Sequence, residues 1–196
     1  DRKVELVDFQ NHQLLIDKQV PIAFDHLLIA TGSKNRVIEI DGIASEQIHY
    51  LRTMAESQAI VDKAQTENRV LIIGGGFIGM ELAASLRSLG KAVTVIEAGS
   101  QLMGRAIPCE IADIVQAKHE EAGVTVHLDT TVTSVTSGEG SYKAELSNGD
   151  KVVFDLIVVG IGITPNLDAF ADENLCTDNG IVTNEYGQTS IDNVYA

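Results

Sequence analysis

Cysteine is almost missing from this chain of 196 residues: there are two, Cys109 and Cys176, far apart and in no CxxC pair. On their own they assemble neither a disulfide framework nor a thiolate zinc centre, and this usage points to a reducing cytoplasm. The five histidines (His12, His26, His49, His119 and His127) show no ligand spacing, so no metal chemistry is expected. Basic residues are scarce as well. Fourteen Lys and Arg against 28 Asp and Glu give a formal net charge of −14, the reverse of what a phosphate-tracking nucleic-acid binder carries. No apolar run approaches the ~20 residues of a membrane span, and no basic-then-apolar stretch opens the chain as a secretion signal. Asp1 is not an initiator Met, and Val194-Tyr195-Ala196 brings no closing element. The expectation is a piece excised from a longer protein.

With 44% hydrophobic and 21% charged residues, the composition is globular. Residues 3–9 and 13–20 alternate polar and apolar around Gln10-Asn11, which predicts a hairpin. Phe24 to Gly32 reads as a buried strand running into a glycine turn. A helix fits Met54 to Ala64. Arg69 to Ile73 and Ala92 to Ile96 are β-branched strands, and between them Phe77 to Leu89 carries helical periodicity closed by Gly90. Pro108 opens another helix that reaches Ala122 before Gly123. Strands follow at Val124–His127, Val132–Thr136 and Tyr142–Leu146. Asn148-Gly149 is a hairpin turn, and Val152 to Val159 is one more apolar strand. Phe24-Asp25 leads to Gly32 at the spacing by which Phe154-Asp155 leads to Gly162, an internal echo of two related units. The pattern predicts an α/β fold with a Rossmann-like parallel sheet and an inserted antiparallel meander.

Gly74-Gly75-Gly76-Phe77-Ile78-Gly79 fits G-x-G-x-x-G. It follows a predicted strand, opens a predicted helix, and precedes an acid, Glu97, at the end of the next strand; together these mark a dinucleotide site. Gly74 permits the tight turn, Gly76 lets backbone approach a pyrophosphate, and Gly79 lets helix pack on strand. The pyrophosphate then rests on the N–H groups at the positive end of the helix, beside Phe77 and Ile78. Glu97 accepts from the adenosine ribose 2′-OH, and a carboxylate there repels a 2′-phosphate. Arg105 is the nearest cation, so NAD is read over NADP, with FAD left open because flavin domains share the fingerprint. Glu81 is placed in the first helical turn, either as an acid favourable to the helix dipole or facing the nicotinamide. Gly160-Ile161-Gly162 ends a strand at the sheet's carboxyl edge, where a ring can lie against bare backbone.

Four stretches together carry a resemblance: Phe24-Asp25-His26-Leu27-Leu28-Ile29-Ala30-Thr31-Gly32-Ser33, Leu51-Arg52-Thr53, Gly74 through Glu81, and Val159-Gly160-Ile161-Gly162-Ile163-Thr164-Pro165-Asn166. They resemble the FAD/NAD-linked pyridine nucleotide–disulfide oxidoreductases. The stretch Asn179 to Ser190 is most similar to the ferredoxin, rubredoxin and putidaredoxin reductase branch. The resemblance implies an FAD domain interrupted by an NAD domain: residues 1–48 and 167–196 as FAD-domain segments, and 49–166 as the NAD domain. It implies that Thr31 and Gly32 lie along the flavin dinucleotide, that Arg52 reaches the flavin cofactor, and that Gly160, Ile161 and Gly162 lie near the nicotinamide. It places Glu81 at the nicotinamide–flavin cleft. The implied activity is hydride transfer from NADH to FAD, then electron delivery to a ferredoxin- or rubredoxin-like acceptor. NADH oxidase, coenzyme A disulfide reductase and a nitrite reductase flavin module remain as alternatives, and an NAD-responsive redox sensor is the reading without turnover. Departures from the family pattern are the missing N-terminal FAD fingerprint, the missing Gly-Asp pair after Ala196 and the missing interface domain. This stretch alone is therefore expected to be inactive. Cys109 and Cys176 match no redox position of the family.

Overall fold

In a computed structural model, residues 2–16, 20–104, 106–138, 140–170 and 175–196 are described. The chain forms two compact units, Asp1–Lys34 with Ile163–Ala196, and Asn35–Gly162. The first opens with an antiparallel meander of β1 (Val4–Asp8), β2 (Gln13–Ile16) and β3 (Val20–Ala23). The strand expected over 13–20 is thus shorter: β2 stops at Ile16, and residues 17–19 lie outside the described residues. Pro21 sits inside β3, which among the described strands pairs only with β2, so its lost N–H falls on an edge where it is tolerated. The buried strand expected from Phe24 to Gly32 reduces to β4 (Leu27–Leu28), and Leu28 is 69% exposed. An apolar run becomes a long strand only where partners line it. β5 (Ser33–Asn35) follows.

The second unit holds a five-stranded parallel sheet. Its strands are β6 (Ile48–Tyr50), β7 (Arg69–Ile73), β8 (Ala92–Ile96), β9 (Val124–His127) and β13 (Leu156–Val159), in the order β6-β13-β7-β8-β9. Between β9 and β13 the chain makes the expected antiparallel meander of β10 (Val132–Gly138), β11 (Ser141–Leu146) and β12 (Lys151–Phe154). Helix α1 (Met54–Thr66) starts at a capping box, in which Thr53 and Glu56 satisfy each other's backbone N–H. Helix α2 (Phe77–Ser88) joins β7 to β8, and α3 (Cys109–Glu121) precedes β9. Alternate residues of β7 explain why the sheet strands are apolar throughout. Val70 and Ile72 pack with Ile60, Met80, Ala83 and Leu86 of the helices, whereas Leu71 packs with Val135, Ala144, Leu146 and Phe154 of the meander. Both faces are covered.

The single strand expected over Val152–Val159 is two strands in two sheets, broken at Asp155. Its carboxylate accepts from the Arg69 backbone N–H and guanidinium Nε, both at 3.1 Å, and the Asp155 side chain is 9% exposed. The Arg69 guanidinium first, and the backbone N–H groups of Arg69 and Asn68 after it, hold this carboxyl below its ordinary value of 3.8. A depressed carboxylate contributes stability above that value and loses it as pH falls through and below it. Asp155→Asn is expected to cost about 2 kcal/mol near neutral pH. In urea unfolding, the gap between wild type and variant should close as pH is taken below about 4; a gap that stays constant would show that charge is not its source.

The chain then returns to the first unit through β14 (Ile163–Pro165), which ladders with β5, and β15 (Val194–Tyr195), which runs parallel to β4. The echo between Phe24-Asp25 and Phe154-Asp155 now has a structural content. In each unit the pair marks the exit from a three-stranded antiparallel meander into a strand that pairs in parallel. Each strand leads to a glycine with positive φ, +66° at Gly32 and +111° at Gly162.

Candidate nucleotide-binding site

The parallel strands of the second unit end together at one sheet edge. The Gly74 N–H donates to Ile96 O (2.8 Å), the Gly160 N–H to Ile73 O (2.8 Å), and the Glu97 N–H to His127 O (2.9 Å). These bonds carry the ladder past the strands and bring Gly74–Gly79, Glu97 and Gly160–Gly162 to the same edge, where doubly wound folds take ligands.

Each glycine of the turn has its own reason. Gly74 has φ +109°, and a Cβ there would lie 2.4 Å from Gly160 O. At Gly79 a Cβ would lie 2.0 Å from Gly74 O, so helix and turn touch through bare backbone. Gly76 differs: its φ is −77°, which any residue adopts, and a Cβ would meet nothing within 4 Å among the described residues. Among the described residues the space above Gly76 is open, at the start of α2, where no side chain of theirs caps the helix. That is a cradle suited to a diphosphate, with the first N–H groups of α2 and the helix dipole facing it. Phe77 and Ile78, which supply two of those N–H groups, are 53% and 40% exposed.

Glu97 stands just past β8, half-buried, and its carboxylate is already engaged. Oε2 accepts from the Gly75 N–H and Oε1 from the Gly99 N–H, both at 2.7 Å. The fingerprint leaves the position of Gly75 free, so the sequence alone does not single it out. Its Cβ direction is filled by the Leu102 side chain (2.5 Å) and by Glu97 Cβ (3.1 Å), and its carbonyl accepts from the Met103 N–H at 2.9 Å. Arg105 lies outside the described residues. No group of three or more His, Cys, Asp or Glu able to hold a metal occurs among the described residues, and no helix there is long and apolar enough to cross a membrane.

The whole chain, residues 1–196, matches the family model of the pyridine nucleotide-disulphide oxidoreductases. The chain belongs to this family. It is 36% identical to rhodocoxin reductase of Rhodococcus erythropolis over 196 residues, covering all of this chain and 44% of that protein. It is 35% identical over 185 residues to the ferredoxin–NAD(+) reductase component of a 3-phenylpropionate/cinnamic acid dioxygenase from Photorhabdus laumondii, covering 94% of this chain and 47% of that one. Among solved structures, a ferredoxin reductase from Rhodopseudomonas palustris superposes with a TM-score of 0.92 at 30% identity, over 99% of this chain and 48% of that one. The chain thus spans under half the length of these relatives.

The remaining residues singled out for this family lie as follows. Glu81 is in the second turn of α2, since the helix starts at Phe77 and its first turn carries no acid; the first-turn placement is corrected accordingly, and so is the dipole argument tied to it. Its side chain lines a groove of about 360 Å³ between α1 and α2, with Leu51, Ile60, Ile78, Leu82 and Leu86. The Arg52 backbone N–H donates to Glu56 Oε2 at 2.9 Å, ahead of α1. In the first unit, the Thr31 hydroxyl donates to Asn166 O at 2.7 Å, and the Asn166 N–H returns a bond to Gly32 O at 2.9 Å. Asn166 Oδ1 is buried and has no hydrogen-bond partner among the described residues. An exposed glycine turn beside an orphaned amide oxygen suits a polar ligand that brings donors, as a flavin dinucleotide does.

Proposed function

We propose that the unit Asn35–Gly162, which holds all but the last four residues of the 49–166 expected from the resemblance, is the NAD(H)-binding domain of a flavoprotein reductase, with Asp1–Lys34 and Ile163–Ala196 as segments of its FAD domain. The observation that carries this reading is the open backbone at Gly76 under an uncapped helix, within reach of a strand-end carboxylate. The names of the ferredoxin– and rhodocoxin-reducing relatives support the same reading. In it, the chemistry supplied by the bound groups is hydride transfer from NADH to FAD, followed by electron delivery to a ferredoxin- or rubredoxin-like acceptor in the cytoplasm.

The protein's own work is positioning. The α2 N-terminus, from Gly76 to Gly79, binds the pyrophosphate. Glu97 offers its remaining lone pairs to the adenosine ribose 2′-OH and repels a 2′-phosphate, which selects NADH over NADPH. Gly160, Ile161 and Gly162 offer backbone for the nicotinamide to lie on, and Glu81 serves the nicotinamide end of the same nucleotide. Thr31, Gly32 and Arg52 serve the FAD. No side chain is needed as nucleophile or general base.

Calorimetric titration with NADH, and separately with NADPH, tests the reading. Binding of NADH with a clear preference over NADPH is the expected result. Equal binding of both would remove Glu97 as the selector, and binding of neither would remove the site.

A further inference from the structure

The Glu97 carboxylate makes two backbone bonds that reading a ribose does not need. We propose that Glu97 positions the pyrophosphate loop as well as reading the ribose, so that one carboxylate couples phosphate affinity to nucleotide choice. The proposal deepens the NAD(H) reading of this site and rests on it.

The geometry is a tether with both ends fixed. Backbone holds Glu97 on each side, its N–H on His127 O at 2.9 Å and its carbonyl under the Thr130 N–H at 3.0 Å. From that anchor the carboxylate reaches Gly75 and Gly99 at 2.7 Å each, the short range of charge-assisted bonds. Gly75 is then held on three sides: by Glu97 at its N–H, by Met103 at its carbonyl, and by fully buried Leu102 at its Cα. It lies between Gly74, which makes the turn, and Gly76, which opens the cradle. Any displacement of the Gly75 amide is passed directly to Gly76. A carboxylate has about four acceptor sites, so two backbone bonds leave room for a ribose hydroxyl without loosening the loop.

This separates two roles that a single truncation would merge. If Glu97 only reads the ribose, removing it costs that contact and nothing else. If it also holds the loop, removing it leaves the Gly75 and Gly99 N–H groups without their acceptor, and the cradle loosens for any dinucleotide. The test is the affinity of wild type, Glu97→Ala and Glu97→Gln for NADH and for the NADH analogue lacking the adenosine 2′-hydroxyl. The expected result is that Glu97→Ala binds the analogue about tenfold more weakly than wild type does. Glu97→Gln, which keeps one acceptor oxygen, should recover most of that loss. Equal affinity of wild type and Glu97→Ala for the analogue overturns the proposal.

Amide exchange without any nucleotide gives a second readout, so failure of the NAD(H) reading remains distinguishable. The Gly75 and Gly99 amides should exchange faster in Glu97→Ala while those of β7 stay protected; unchanged exchange at both overturns the tether. Should Glu97→Ala not fold, Glu97→Gln carries the same test, with faster exchange expected at one of the two amides and none at either overturning the proposal.

Discussion

Gly76→Asp is expected to make the protein slightly more stable and to abolish its affinity for NADH. The two effects have opposite signs because they act on the same orphan N–H groups. Gly76 is the N-cap of α2, in the extended conformation that position requires (φ −77°, ψ −175°), and it has no side chain to offer the helix. An aspartate there needs no backbone change and meets no described neighbour within 4 Å at its Cβ. Its carboxylate accepts from the N–H groups of the first turn and faces the positive end of the dipole, a gain of about 0.5–1 kcal/mol. Those N–H groups are the ones a pyrophosphate would use. Once they are satisfied internally, a bound diphosphate loses its donors and meets a fixed negative charge, a loss of at least ~100-fold in affinity. Urea unfolding and titration calorimetry read the two halves separately. Retained NADH binding with raised stability would move the pyrophosphate away from Gly76.

How far such a site can be read from sequence depends on where each residue's constraint comes from. The segment from Arg69 through Glu97 is legible because its signals are local: a β-branched run, a glycine triplet, a helix period of 3.6 and a strand-end acid. Helix α1 is legible as well, although the reading ends it at Ala64, two residues short of Thr66. β6 was not found. It has only three residues, two of them His49 and Tyr50, and its strand state comes from pairing with Ile157–Val159 far along the chain. The break at Asp155 is hidden for a similar reason, since it depends on an ion pair with Arg69 that periodicity cannot register. The tie between Glu97 and Gly75 escapes the fingerprint altogether. The template assigns the acid to the ribose and leaves the residue after the first glycine free, whereas the fold uses each to fix the other.

Gly74→Ala is the counterpart of the cap substitution, because here the backbone itself forbids a side chain. Gly74 lies at φ +109°, outside the region L-residues occupy, and a Cβ would stand 2.4 Å from Gly160 O and 2.7 Å from Gly160 C. Both obstacles are backbone atoms at the end of a buried strand, so no rotamer change relieves the contact. Relief requires moving the turn, which breaks the 2.8 Å bond from the Gly74 N–H to Ile96 O and pushes the Gly74 carbonyl toward Gly79, where bare backbone is already in close contact. Strain and overpacking together cost about 3 kcal/mol or more, a fall in melting temperature of roughly 10 °C. NADH affinity should fall with it, since the cradle is built on the displaced turn. A variant that melts with wild type would show that the turn does not hold the left-handed glycine on which the dinucleotide reading depends. The contrast with Gly76 then isolates function from fold: one glycine is required by the protein's own backbone, and the other is kept bare for what binds above it.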